Sequence, residues 1–168
     1  KLKGIISVGL FGQPCDIDSI IEIANAHKLW VLDDAAQSFG SSYKNKISGN
    51  LSDISATSFF PAKPLGCYGD GGAFFTNNEN YYKIAYSAHL HGMGSNKYEY
   101  DRIGMNGRID TIQAAILLEK LTIFESELLK REKVAKDYIE RFLTLNTNIK
   151  LPKLLENTNS SWAQFTIQ

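Results

Sequence analysis

Cysteine, net charge and long apolar runs are the scarcest features of this 168-residue chain. Its two cysteines, Cys15 and Cys67, are too far apart for a metal-ligand spacing or a disulfide framework, which favours the reducing cytoplasm. Eighteen basic residues balance eighteen acidic ones, so charge gives no argument for nucleic acid or an acidic membrane surface. No apolar run approaches the roughly 20 residues of a membrane-spanning helix. We therefore expect a cytoplasmic protein with neither nucleic acid nor membrane as its partner.

Histidine is scarce as well, and its pattern predicts no metal site. His89 and His91 are two positions apart near the end of a predicted helix, a spacing that does not direct both rings at one ion. The glycine-rich stretch 66–72 lacks the fingerprints of the P-loop and Rossmann nucleotide sites. The sequence thus gives no support for a bound metal or for either of these nucleotide folds.

Short apolar segments alternate with helical segments along the chain. Residues 4–11 have the apolar character of a buried strand, Asp16 is a good N-cap for a helix that reaches His27, and residues 30–33 form the next strand. A strand, a helix and a strand within about 30 residues make a βαβ unit, so the two strands run parallel and the fold class is α/β. Further predicted elements are a hairpin at 43–50, strands at 54–60 and 73–76, and helices at 79–90 and 109–143, with a break or kink near 122–124.

Both ends of the chain predict that it is a fragment of a longer polypeptide. It begins with Lys1 rather than an initiator methionine, and the first strand starts almost at once. Residues 162–167 have the composition of a strand that stops at the end of the chain. The alternative is a complete small domain with a strand at each terminus.

One lysine stands out because of its surroundings. Lys63 follows the apolar stretch Ser58-Phe-Phe-Pro-Ala at the end of a predicted strand, and it precedes Pro64, which favours an extended backbone at Lys63. A lysine becomes a covalent nucleophile where burial or a nearby positive charge keeps its amine partly neutral. The alternative is an ordinary surface lysine on a loop.

A carboxylate ends the second predicted strand. Asp34 is placed where side chains point into the crevice in which α/β sheets hold their ligands. Facing a protonated pyridine nitrogen, it would keep the ring charged, as in pyridoxal phosphate (PLP) sites. Asp33 is less suited because it lies one residue deeper, on the opposite face of the strand. Alternatively, either aspartate caps the turn at Ala35 and Ala36.

A hydroxyl and a cluster of glycines flank the lysine. Ser58 lies five residues before Lys63, where its hydroxyl could bind a phosphate oxygen or satisfy the backbone at the strand end. Glycines let backbone amides approach a ligand closely, although this signal is weak by itself. The glycines of this loop are Gly66, Gly69, Gly71 and Gly72.

Taken together, these stretches resemble the DegT/StrS family of PLP-dependent sugar aminotransferases. The resemblance covers about residues 4–143, and it implies a mixed, mostly parallel sheet flanked by helices, as in the large domain of fold type I, aspartate aminotransferase-like enzymes. The stretches 37–40 and 63–72 look most like enzymes that aminate C3 of a UDP-linked 3-keto-hexuronic acid. The matching motifs, in family order, are Phe11-Gly-Gln-Pro-Cys-Asp-Ile-Asp18, Asp34-Ala-Ala-Gln-Ser-Phe-Gly40, Ser58-Phe-Phe-Pro-Ala-Lys-Pro-Leu-Gly66, Gly69-Asp-Gly-Gly-Ala73, His91-Gly92, Gly104-Met-Asn-Gly-Arg-Ile-Asp110 and Gln113-Ala-Ala115.

The resemblance implies a role for each matching site residue. Lys63 would bond covalently to PLP and then move the proton between cofactor and sugar. Asp34 would pair with the pyridinium nitrogen, Gln37 would lie beside the ring and its phenolic oxygen, and Ser58 would hold the phosphate.

The family's dimers share their active sites, which implies a role for a further loop. Asn106 would reach the cofactor in the neighbouring subunit's site, and Arg108 the substrate; an amide and a guanidinium suit phosphate and carboxylate groups. The resemblance also implies a partial PLP-binding large domain at 1–122. The long helix and the start of a small C-terminal domain would follow at 123–168.

The implied reaction moves an amino group from glutamate to the keto group of a UDP- or dTDP-linked sugar, for amino-sugar and surface polysaccharide biosynthesis. The implied assembly at full length is a homodimer. Since the family's N-terminal segment and most of its small domain are missing, we expect weak PLP binding or inactivity in isolation. Two alternatives remain open: an inactive truncated paralogue, and a phosphate-ligand binder in which Lys63 is only a counter-charge.

Overall fold

The computed structural model describes residues 1–145 and 148–168; residues 146 and 147, which fall within the predicted segment 123–168, lie outside the described residues. A short 3-10 turn (Leu10–Gly12) follows the first strand. The remaining elements, in chain order, are β1 (Gly4–Val8), α1 (Ile17–His27), β2 (Trp30–Asp34), β3 (Ser42–Tyr43), β4 (Lys46–Ile47), β5 (Ile54–Ser58), β6 (Gly72–Thr76), α2 (Glu79–His89), α3 (Thr111–Leu143) and β7 (Thr158–Asn159).

The main sheet has four strands in the order β1-β2-β5-β6. Strands β1, β2 and β5 run parallel, and β6 runs antiparallel to β5. The predicted α/β fold with a mixed, mostly parallel sheet is thereby confirmed. Because parallel strands end at the same edge, the loops after β1, β2 and β5 and the loop that enters β6 all gather there.

A second, three-stranded sheet has the order β4-β3-β7. Strands β3 and β4 are the predicted hairpin, which is confirmed. Lys44 and Asn45 make its turn with φ values of 47° and 65°, the left-handed geometry that matches the twist of a tight hairpin. Because β7 pairs with β3 on the other side, this sheet ties the chain after α3 to the first half of the molecule.

Helix α1 covers one face of the main sheet. Asp16 caps its first turn by accepting a hydrogen bond from the Ser19 amide, which confirms the predicted N-cap. The buried side chains of this layer are Ile17, Ala24, Val31, Tyr43 and Leu51. On the other face of the sheet, Ile6 and Val8 of β1 are 60% and 44% exposed.

Helix α3 runs without interruption from Thr111 to Leu143, so the predicted break near 122–124 is wrong. Thr122 and Ile123 lower helix propensity only slightly. Leu117 and Phe124 on either side of them are buried against the loop after β5, and this packing outweighs the local preference. Although α3 is 33 residues long, neither it nor another described helix has the apolar stretch that crossing a membrane requires.

The predicted strand at 162–167 is also wrong. Trp162 has a φ of 48°, a left-handed backbone conformation that a strand cannot contain. The amides of Ser161 and Gln164 instead donate to the carbonyls of Gly12 and Phe11, at 2.9 and 3.2 Å. This segment therefore binds the loop after β1 and does not extend a sheet.

The packing of α3 predicts a contrast between two leucines. Leu117 is 6% exposed in the cluster with Leu65 and Cys67, whereas Leu129 on the same helix is 67% exposed. We expect Leu117→Ala to lower the free energy of unfolding by about 2–5 kcal/mol. Leu129→Ala is expected to change it by less than about 0.5 kcal/mol. Urea unfolding of both variants measures the difference, and equal effects would contradict this description of the core.

Candidate active site

The carboxyl edge of the main sheet brings together three of the predicted site residues. Asp34 ends β2 and pairs with Ala56 of β5, so Ser58, two residues further along β5, lies on the same face as Asp34. The chain then turns, and the Lys63 amide donates to the Phe60 carbonyl at 2.9 Å. Lys63 thus follows Ser58 in a tight turn at the same edge of the sheet.

The Asp34 carboxylate is fixed through one of its oxygens. Oδ1 accepts a hydrogen bond from the Ala36 amide at 3.0 Å, so the turn cap that the sequence allowed is present. No hydrogen bond joins the second oxygen, Oδ2, to the described part of the chain. The cap therefore orients the half-buried carboxylate and leaves one oxygen able to accept a hydrogen bond from a ring nitrogen.

Asp33 lies on the opposite face, as strand alternation predicts. It is 1% exposed, and its Oδ2 accepts hydrogen bonds from the Gly49 amide at 3.2 Å and the Ser48 hydroxyl at 3.5 Å. Burial is the main reason that the pKa of this carboxyl is raised, with the neighbouring Asp34 charge adding to it. Asp33 is therefore a buried structural group, separated from the candidate site by the sheet.

Gln37 lies in the turn that follows Asp34, and it is held twice. Its side-chain oxygen, Oε1, accepts a hydrogen bond from the Phe11 amide at 2.8 Å, and its main-chain carbonyl accepts one from the Ser161 hydroxyl at 2.6 Å. Since a backbone amide can only donate, the oxygen of the Gln37 amide must face Phe11. The NH₂ group of Gln37 is thus the part that a ligand oxygen could meet.

The loop after β5 is compact and hydrogen-bonded to itself. Ser58 Oγ accepts from the Phe60 amide at 3.2 Å, which is the backbone role that the sequence left open. The Phe59 carbonyl accepts from the Cys67 amide at 2.7 Å. A Cβ at Gly66 would lie 2.6 Å from the Pro61 carbonyl oxygen, so only glycine allows the chain to close here.

Two side chains of α3 hold this loop from outside. Gln113 accepts a hydrogen bond from the Tyr68 amide at 2.8 Å, and the Lys120 ammonium donates to the Gly66 carbonyl at 2.5 Å. Neither role is predicted from the sequence. The contacts span 45 and 54 residues, and no local pattern marks them, although Gln113 belongs to one of the motifs.

The loop that carries Asn106 and Arg108 lies apart from this group. Both residues are exposed, and the Arg108 Nε donates to the Asn106 side-chain oxygen at 3.0 Å. No hydrogen bond within the described residues links either of them to Asp34, Gln37 or Lys63. The structure of one chain thus brings four of the six predicted residues to one edge of the sheet.

The family model of the DegT/DnrJ/EryC1/StrS aminotransferases matches residues 1–168. The chain belongs to this family. Over its whole length it is 48% identical to the UDP-2-acetamido-2-deoxy-3-oxo-D-glucuronate aminotransferase of Pseudomonas aeruginosa, of which it covers 46%. It therefore spans about half the length of this relative.

Two solved structures share the fold of this chain. A DegT/DnrJ/EryC1/StrS aminotransferase from Brucella abortus matches 98% of this chain with a TM-score of 0.93 and 45% identity, and 43% of its own chain is covered. NtdA from Bacillus subtilis, solved with bound PMP, matches 98% of this chain with a TM-score of 0.86 and 34% identity, over 38% of its own chain. The predicted fold type is thus confirmed for this chain.

The buried carboxylate beneath the site predicts an unusual pH dependence. Because burial raises the pKa of Asp33, its stabilising contribution is complete below about pH 4 and is lost as the pH rises through the raised pKa. We expect Asp33→Asn to lose less free energy of unfolding than the wild type as the pH rises from about 4 to 7. Urea unfolding of the variant and the wild type at a series of pH values measures this change in the free energy of unfolding.

Asp18 provides a control of opposite sign. A hydrogen bond from Lys44 lowers the pKa of Asp18, so its contribution is present above about pH 4 and is lost as the pH falls. Asp18→Asn should therefore lose less stability than the wild type on acidification. If both variants changed the pH profile in the same direction, the assignment of Asp33 as a desolvated carboxyl would be wrong.

Proposed function

We propose that the protein transfers an amino group from glutamate to the keto group of a nucleotide-linked sugar, with PLP as its cofactor. The observation that carries the proposal is the convergence of Lys63, Asp34, Gln37 and Ser58 at one sheet edge, in a chain of an aminotransferase family. We further infer that 1–122 is part of the PLP-binding domain, and that 123–168 is the long helix and the start of a small domain.

The chemistry of these side chains fits PLP. The set contains an amine for the aldehyde carbon, a carboxylate oxygen for the ring nitrogen, a hydroxyl for the phosphate and an amide donor for the phenolic oxygen. When bound, PLP supplies an electron sink that makes a carbon–hydrogen bond of the substrate acidic.

Each residue then has a definite task. Asp34 would keep a proton on the ring nitrogen, because a carboxylate favours the charged form of its partner. Ser58 would fix the phosphate end, and Gln37 would donate its NH₂ to the phenolic oxygen. The Lys63 amine would hold the cofactor covalently and afterwards carry a proton to and from the substrate carbon.

The proposed acceptor is a UDP-linked 3-keto-hexuronic acid. The relative from Pseudomonas aeruginosa, named for a UDP-linked 3-oxo-glucuronate, supports this sugar. The Arg108 guanidinium suits its carboxylate or phosphates. The product would serve amino-sugar and surface polysaccharide synthesis in the cytoplasm, where free Cys15 and Cys67 stay reduced.

We also propose that the protein is a homodimer with shared sites, in which Asn106 and Arg108 complete the partner's site. The exposed apolar side chains beside these residues support it, since such patches mark association surfaces. Ile103 is 98% exposed, and other exposed apolar residues nearby are Tyr98, Tyr100, Met105 and Ile112.

Loss of the lysine tests the chemistry directly. With the protein at its natural length, Lys63→Ala should abolish the visible absorbance of covalently held PLP, because the proposed covalent link forms on the Lys63 amine. Lys83→Ala, which removes an exposed lysine paired with Glu79 on α2, should leave the band unchanged. Absorption spectra with and without glutamate measure both variants, and a normal band in Lys63→Ala would refute the assignment.

Borohydride trapping separates this function from the alternatives. Reduction in the presence of PLP followed by peptide mapping should place the label on Lys63. Label spread over surface lysines would favour a phosphate-ligand binder, and a labelled Lys63 without any response to glutamate would favour an inactive paralogue.

Shared active sites predict rescue between two inactive variants. Lys63→Ala and Arg108→Ala should each be inactive alone. Mixed and reassembled in equal amounts, they should form hybrid dimers that carry one intact site, which restores about a quarter of the wild-type activity. Refolded single variants are the control, and a mixture without activity would contradict sharing of these residues.

A further inference from the structure

Gln37 is held by two segments that are distant from it in sequence. The Phe11 amide reaches its side-chain oxygen at 2.8 Å, and the Ser161 hydroxyl reaches its main-chain carbonyl at 2.6 Å. These contacts span 26 and 124 residues. The loop after β1 therefore holds the side chain of Gln37, and the segment after α3 holds its main chain.

The two holding segments are strained, and they are bonded to each other. Phe11 and Trp162 both have left-handed backbones, with φ values of 61° and 48°, which is costly for an aromatic residue and persists only where the surroundings impose it. The Ser161 amide donates to the Gly12 carbonyl at 2.9 Å, and the Gln164 amide donates to the Phe11 carbonyl at 3.2 Å. Each strained turn thus holds the other in place.

Helix α3 anchors the left-handed turn at Trp162. The Trp162 indole donates to Glu132 at 3.3 Å, and Arg131 donates to the Trp162 carbonyl at 3.3 Å. The Trp162 ring also stacks on Phe165. The position of Ser161, which is 0% exposed, is therefore fixed by the helix that also holds the Lys63 loop.

We propose that Ser161 is a positioning residue for the cofactor site, acting through Gln37. Its hydroxyl fixes the main chain of Gln37 while the Phe11 amide takes the side-chain oxygen, so that the NH₂ group would be available to the phenolic oxygen of bound PLP. This inference rests on the proposed function. A donor held in this way would favour the ionised form of that oxygen, and it would lower the pH at which the bound cofactor loses its proton.

Two adjacent buried serines give a matched test. Ser161→Ala removes the hydroxyl that holds Gln37, whereas Ser160→Ala removes a hydroxyl that, within the described residues, accepts from the nearby Trp162 amide at 3.0 Å and makes no hydrogen bond to Gln37. In the protein at its natural length, Ser161→Ala should raise the pH midpoint of the visible absorbance of bound PLP by about 0.3–1 unit. Ser160→Ala should leave that midpoint unchanged, and thermal unfolding is expected to show a lower Tm in both variants.

The outcomes are distinct. An unshifted midpoint in Ser161→Ala, or an equal shift in both variants, overturns the positioning role. If the wild type forms no band that depends on Lys63, the proposed function itself fails. Should Ser161→Ala not fold, Ser161→Cys fills nearly the same space with a weaker donor, and an unshifted midpoint there overturns the proposal equally.

Discussion

The parallel pairing of β2 with β5 is the constraint on which the candidate site depends. It sets Asp34 opposite Ala56 and hence on the face of Ser58. A slip of one residue in β2 would turn Asp33 to that face and bury Asp34. The hydrogen bond from the Gly49 amide to Asp33 opposes the slip, because it exists only when Asp33 points to the covered face. The two adjacent aspartates thus differ in role: Asp33 fixes the register of β2, and Asp34 is proposed to bind the cofactor.

Contacts between residues that are distant in sequence fix the loops that carry Lys63 and Gln37. Gln113 and Lys120 of α3 bind the loop beside Lys63, and Ser161 binds Gln37. The strands alone fix where the strand ends lie, but loops need further partners to hold one conformation. Since α3 holds the Lys63 loop directly and Ser161 through Trp162, one helix orders both sides of the site. Movement of α3 would therefore disturb Lys63 and Gln37 together.

The sequence predicted those features that depend on local pattern. Apolar segments with a capped helix between them located β1, α1 and β2, and turn residues located the hairpin at Lys44 and Asn45. The strand-end positions of Asp34 and Ser58 followed from the same patterns, and their family roles from the motifs. What failed depends on tertiary contacts. Residues 162–167 have the composition of a strand, but hydrogen bonds to Phe11 and Gly12 impose a left-handed turn there. Helix α3 continues through residues 122–124, where a break was predicted, because Leu117 and Phe124 are packed in the core. The hydrogen bond from Ser161 to Gln37 joins residues 124 positions apart, so no local sequence pattern predicts it.

The exposed end of β1 bears on how the proposed chemistry can work. Lys63 is partly exposed, and the apolar Ile6 and Val8 lie uncovered on the face that also carries Asp34. Contact with bulk water would weaken the pairing of a carboxylate with a ring nitrogen. The proposed chemistry therefore requires that this edge be covered. A second subunit that brings Asn106 and Arg108 would supply such a cover together with the groups that bind the substrate, so the need to exclude water and the proposal of shared sites lead to the same assembly.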